Sequence, residues 1–274
     1  MFNAVHAQPP QRRHQLGGAS ATCCGNCRGG AVGCAETPVV RLNPHDPIAH
    51  RIIIAAALAG ESITVVERAS DDVAAPSVCI RGRCVEGADA GTMYLVRHAA
   101  NAAAMASIFG DNDDARTPQA GLPLLPVMTA PELHRVRDLI AKADALAALQ
   151  LAAAAARPRD VKRAKADAAE CFVTLEAALR DMPAFEHVAA GPFIAGSEPS
   201  VADSAIVPLV ARQMTLTMGA CVDGCPRLWA LYEAACRRSP DVADSVEEFG
   251  FDLDGLESFA EAWHQHHQRE QIRL

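Results

Sequence analysis

Cys23, Cys24, Cys27 and Cys34 lie close enough along the chain to share a metal ion. A Cys-x-x-Cys knuckle suits tetrahedral zinc, but a full zinc site pairs two knuckles ~12–20 residues apart. Here the second half is Cys34 alone, with His14 the nearest extra ligand. The segment therefore reads as a cysteine-rich tail, and no metal is predicted. Cys79 and Cys84 flank Arg81-Gly82 and could face each other across a hairpin. The chain starts without a long apolar leader segment, so a reducing compartment and free thiols are expected instead. Cys221 and Cys225 lack redox spacing. His264 and His267 would share a helix face, and with His266 they read as solvated side chains. Asp111, Asn112, Asp113 and Asp114 lack the calcium-loop pattern and read as an acidic linker.

Composition narrows the partners. The net charge is −8 over 274 residues, which argues against a nucleic-acid binder with a basic face. Half of the residues are hydrophobic and only 4% are aromatic, so a sizeable core must be built largely from Ala, Val, Ile and Leu. Alanine favours helix. The most apolar windows, 52–58 and 145–156, fall short of the ~20 residues that span a membrane. The expected location is intracellular: the cytoplasm first, with a mitochondrion as the alternative because the only charges before Glu36 are Arg12, Arg13 and Arg28.

These residues need elements to hold them. Residues 1–36 lack hydrophobic periodicity and read as a flexible Cys/Gly-rich tail, dispensable for folding. Residues 38–42 read as a strand, 50–59 as a helix closed by Gly60, and 62–67 as a second strand: a βαβ unit. Two short strands, 76–80 and 83–86, join at Arg81-Gly82, and a helix follows over 89–106. Residues 110–128 hold four Asp/Asn residues and several prolines and read as a linker. Beyond it the three- and four-residue apolar spacing predicts helices over 131–156, from about 158 to 181, over 200–218, over 226–238 and over 253–268. The last of these puts Leu256, Phe259 and Trp263 on one face, expected to be an association surface.

The most specific signal is Gly191-Pro192-Phe193-Ile194-Ala195-Gly196-Ser197-Glu198-Pro199-Ser200-Val201-Ala202-Asp203. Ser200 and Asp203 form a capping box that opens a helix. With its Gly-Pro lead-in, this stretch resembles the capping box of the glutathione S-transferase (GST) helical domain. Cys225-Pro226-Arg227-Leu228-Trp229-Ala230-Leu231-Tyr232 is similar to that family's late helix. Ala75-Pro76-Ser77-Val78 lies where the family has its cis-proline loop, and Glu86-Gly87 where it has a Glu-Ser turn.

The resemblance covers about 37–239. It implies a reduced thioredoxin-like domain at 37–109, trimmed of one helix, followed by a GST-like all-helical domain at 129–274. It also implies a glutathione site at Pro76, Ser77, Val78, Glu86 and Gly87. The family's thiolate-holding Tyr, Ser or Cys is missing from the loop Asn43-Pro44-His45-Asp46-Pro47-Ile48-Ala49. Only His45 or Asn43 could donate to a thiolate there, Asp46 would repel one, and Gly87 lacks the turn's hydroxyl. The resemblance thus implies a catalytically degenerate protein that serves as an interaction or complex-assembly subunit, as a homodimer or with other proteins. The alternative is an active transferase that conjugates glutathione to an electrophile, with glutathione as cosubstrate. No other cofactor is implied.

Overall fold

Strand and helix alternate over the first half of the computed structural model, which describes residues 37–69, 71–109, 124, 129–182, 190–219 and 224–273. The order is β1 (Val39–Leu42), α1 (His50–Ala59), β2 (Thr64–Glu67), β3 (Ser77–Ile80), β4 (Arg83–Glu86) and α2 (Ala88–Phe109). The sheet runs β2-β1-β3-β4, with β1 parallel to β2 and the other pairs antiparallel. This is the thioredoxin-like arrangement with one helix fewer: among the described residues of 68–76, none is helical. Val40, Leu42, Val78 and Ile80 alternate onto one face and bury against Ile52, Ile53, Ala56 and Leu95.

Two expectations fail in this half. Cys79 and Cys84 are joined by a disulfide, with Cα atoms 4.0 Å apart. Arg81 (φ 49°) and Gly82 (φ 78°) are both left-handed, the signature of a two-residue type I′ turn. Such a turn closes on Ile80 and Arg83 as the hydrogen-bonded pair, so Cys79 and Cys84 form the next, non-hydrogen-bonded pair. Side chains approach closest there. Strand register brings the two sulfurs within bonding reach. Second, no cis peptide bond occurs among the described residues, so Ala75–Pro76 is trans.

The second half is helical: α3 (Ala130–Ala154), α4 (Val161–Arg180), α5 (Val201–Thr217), α6 (Pro226–Arg238), the short α7 (Pro240–Ser245), a π-helical turn (Val246–Gly250) and α8 (Leu253–Arg273). α5 is the axis of this half. Ile206, Val207, Leu209 and Val210 bury against Leu139, Ala143 and Leu146 of α3 and against Ile54, Ala55 and Leu58 of α1. α1 is therefore covered on two sides, by sheet and by helices, which explains its nearly unbroken run of Ile, Leu and Ala.

α7 and the π-helical turn were not foreseen. Beyond them, α8 lies along α3. Leu256, Phe259 and Ala260 are at most 2% exposed and pack with Leu151, Ala153 and Leu216, with Trp263 at the edge. The face expected to bind a partner is core. Residues 1–36, with Cys23, Cys24, Cys27 and Cys34, lie outside the described residues, as do Asp111–Asp114 and Cys221. No described helix is long and apolar enough to cross a membrane.

Candidate functional site

Loop 43–49, after β1, sits beneath the far end of the chain. Asn43 is 2% exposed. Its Nδ2 donates to Ala69 O (3.0 Å) and Asp72 O (3.2 Å), and its Oδ1 accepts from His45 N (3.0 Å). Asn43 thereby closes the gap left by the missing helix: its amide pins the irregular segment after β2 to the loop. Asp46 Oδ1 accepts from Ile48 N at 2.8 Å, at the start of α1. Burial raises its pKa above the ordinary carboxylate value.

His45 meets the π-helical turn and α8. Its ring stands edge-on to Phe249, and its Nδ1 lies 3.6 Å from Asp252 Oδ2, too far for a hydrogen bond. A Cβ at Gly255 would run into the imidazole, so glycine is what lets α8 come this close. Burial lowers the His45 pKa, against the pull of Asp252.

Beside it, His50 and Arg212 are fully buried. Arg212 Nη1 donates to His50 Nδ1 (3.1 Å) and Nη2 donates to Pro44 O (3.0 Å). That leaves His50 Nε2 as the protonated nitrogen, donating to Ser245 Oγ at 2.8 Å. The tautomer is wrong for a base that would activate Ser245. Burial and Arg212 hold the His50 pKa well below 6.5. Desolvation also lowers Arg212, to about 10.

The other sequence-derived positions come together at the hairpin's open end. Ser77 pairs with Glu86 in register, and Gly87 N donates to Pro76 O at 2.8 Å. Gly87 has φ 94° with open space where a Cβ would point, and the turn lacks the hydroxyl. Val78 faces inward, fully buried, and its side chain touches the site of Gly91 on α2. Its side chain belongs to the core.

A cleft of about 580 Å³ opens between α2 and α3, and the sequence reading assigned none of its residues to a site. At its floor Arg51, 4% exposed at the side chain, reaches Asp89 Oδ1 at 2.6 Å and also donates to Asp144 Oδ1. Thr92 is buried there, its hydroxyl unpaired among the described residues. The walls are apolar: Leu124, Val136, Ile140, Val201 and Ala205, with Arg137 exposed. Arg51 and Asp144 are 93 residues apart in sequence, so no local pattern announces the pair.

Two capping arrangements hold this architecture. Ser200 N and Ser200 Oγ each donate to Asp203 Oδ2 at 2.6 Å, and Ile194 N donates to Oδ1 at 2.9 Å. Both residues are fully buried, and burial raises Asp203 to about 6. Thr129 and Glu132 repeat the motif at the start of α3, a Thr-x-x-Glu pattern readable in the sequence and overlooked. His264 pairs with Gln268, and His267 with Trp263 O, on exposed turns of α8.

No protein-family model matches the chain, and no curated protein matches it. Solved structures do. A trimeric glutathione transferase from Leishmania, TDR1, superposes with a TM-score of 0.59 at 19% identity over 80% of this chain and 48% of that one. This chain thus spans about half of the Leishmania protein. Rice GST1 in complex with glutathione gives 0.55 at 19% identity over 85% of this chain and 99% of that one. Glutathione transferase Omega 3C from Trametes versicolor gives 0.53 at 15% identity over 76% and 89%. At these identities the likeness establishes the fold: a thioredoxin-like domain followed by a GST-like helical domain.

Proposed function

We propose that this GST-like chain is catalytically degenerate and works inside the cell as a protein-interaction or complex-assembly subunit. The observation that carries the reading is the occupation of loop 43–49. Its one amide donor is spent on Ala69 O and Asp72 O, its imidazole lies under Phe249 and Gly255, and it has no hydroxyl or thiol. A thiolate needs a hydrogen-bond donor in a site it can enter: the Asn43 amide is taken, and the His45 Nδ1, without a hydrogen-bond partner among the described residues, is buried under Phe249 and Gly255. The apolar cleft between α2 and α3, with Leu133 43% exposed at its side, supports a partner-binding role, because exposed apolar surface of this kind serves association.

One observation favours the alternative, an active glutathione transferase. The Pro76–Gly87 backbone contact and the space beside Gly87 retain the part of such a site that needs no special side chain. Titration calorimetry with glutathione, followed by turnover of a generic electrophile, separates the two. The degenerate reading expects no saturation at millimolar glutathione and no turnover. Micromolar binding with turnover would establish the transferase instead. In parallel, Leu133→Asp should weaken self-association or partner capture with the helical circular dichroism unchanged.

A further inference from the structure

The β3–β4 hairpin carries chemistry independent of loop 43–49. Val78 and Ile80 enter the cluster under α1 and α2, so the intervening Cys79 and its partner Cys84 lie on the opposite face of the sheet. That face holds no buried apolar cluster among the described residues. Cys84 is exposed, on the edge strand, and Cys79 is half-buried. The disulfide closes a ring that the two-residue turn and the strand pairing already close, so breaking it leaves the hairpin's backbone register in place. Arg81 and Arg83 at the tip are exposed and form no ion pair among the described residues.

We propose that the Cys79–Cys84 pair is a site of reversible thiol–disulfide exchange with anionic low-molecular-weight thiols, entered at Cys84. Exchange requires the incoming sulfur to line up with the bond it breaks. Attack on Cys84 Sγ comes from beyond the sheet edge, where no further strand lies among the described residues. Attack on Cys79 Sγ would come from over β1, where Val39 stands opposite Cys79. The thiolate RS⁻ therefore bonds to Cys84 Sγ as the S–S bond breaks. Cys79 leaves with the electron pair and takes a proton from water. Return attack by Cys79 on the mixed disulfide restores the ring and expels RS⁻. Attack by a second RS⁻ on the incoming group's sulfur releases RSSR and leaves the dithiol, two thiols having supplied two electrons. The guanidinium of Arg81 at the tip attracts a thiol that carries carboxylates and repels one that carries an ammonium, whereas Arg83, opposite Ile80, projects from the other face of the hairpin.

The test uses the full chain with glutathione, mercaptoethanol and cysteamine at equal thiolate concentration. Reactions are quenched with an alkylating agent, and adducts are located by peptide mass mapping. The proposal expects the adduct at Cys84 in preference to Cys79 by about tenfold or more. It also expects glutathione to outpace cysteamine at low salt, with the gap closing at high salt. Arg81→Gln should slow glutathione and leave mercaptoethanol unchanged. Cys79→Ser, in which Cys84 is a free thiol, should accumulate the mixed disulfide when given oxidised glutathione, the Cys84 thiolate displacing one glutathione thiolate from its S–S bond. The wild-type map decides the site even if that variant does not fold. Equal labelling of both sulfurs, a disulfide inert to excess thiol in the folded chain, or no charge preference would overturn the proposal.

Discussion

Replacing Asp203 by Ala should destabilise the protein by an amount that depends on pH. The carboxylate accepts from Ser200 N, Ser200 Oγ and Ile194 N inside the core. Losing an N-cap costs ~0.5–2 kcal/mol, and each buried backbone donor left without a partner adds ~1–3 kcal/mol. Against that stands the cost of keeping the charge buried. The Asp203 pKa is raised from 3.8 to about 6, chiefly by desolvation. At ~1.36 kcal/mol per pH unit, this amounts to about 3 kcal/mol at neutral pH.

The native state thus holds an extra proton between these two values. Its stability falls as pH rises from 3.8 to about 6 and is level above. The Ala variant lacks this term. We therefore expect Asp203→Ala to cost about 2 kcal/mol at pH 7 and roughly 3–4 kcal/mol near pH 5. A chain of this size loses roughly 2–4 °C of Tm per kcal/mol, so thermal melts followed at 222 nm by circular dichroism resolve the difference. Asp203→Asn keeps one acceptor and should show no such pH dependence relative to Ala. A melting temperature unmoved by Asp203→Ala, or a loss that is the same at both pH values, would refute the reasoning.

His50→Gln acts in the opposite sense. The folded pKa lies well below 6.5, so its neutral burial contributes stability that is whole above 6.5 and lost as pH falls below it. Denaturant melts between pH 7 and 5 should therefore decline less steeply in the variant than in the wild type. Phe259→Asp with Trp263→Asp should unfold the chain or cost more than ~3–5 kcal/mol, the usual loss for emptying a buried aromatic site. Equilibrium denaturation combined with sedimentation checks this: a stable, folded monomer would show that the α8 face is not core.

The fold was readable wherever local rules dominate. Apolar spacing placed every helix longer than one or two turns, and Gly60, at φ 67°, ends α1 where the sequence puts its stop. Arg81-Gly82 marked the hairpin, and the same turn fixed the register that joins Cys79 to Cys84. That bond was legible in principle. Counting outward from a two-residue loop gives the facing pair, whatever the compartment. α7 and the π-helical turn were not legible, because six residues and five residues carry too few periods to register.

The candidate site divides along the same line. The sequence can show that loop 43–49 lacks a hydroxyl or thiol. It cannot show what Asn43 and His45 do instead, because their surroundings come from elsewhere in the chain. Asn43 answers to Ala69 and Asp72, His45 to Phe249, Asp252 and Gly255, and His50 to Arg212 and Ser245. The last two separations are 162 and 195 residues, far beyond any motif. The same holds for Arg51, whose carboxylates sit on α2 and α3. A loop stripped of its donor would leave a polar hole if nothing entered it, and buried polar groups without partners are costly. Here Ala69 and Asp72 supply the partners of Asn43, and Phe249 and Gly255 cover His45. The residues that fill the loop are thus coupled: enlarging Gly255 should drive α8 off His45, whereas restoring a hydroxyl in the loop alone, with Phe249 and Gly255 still in place, should not reopen the site to a thiol.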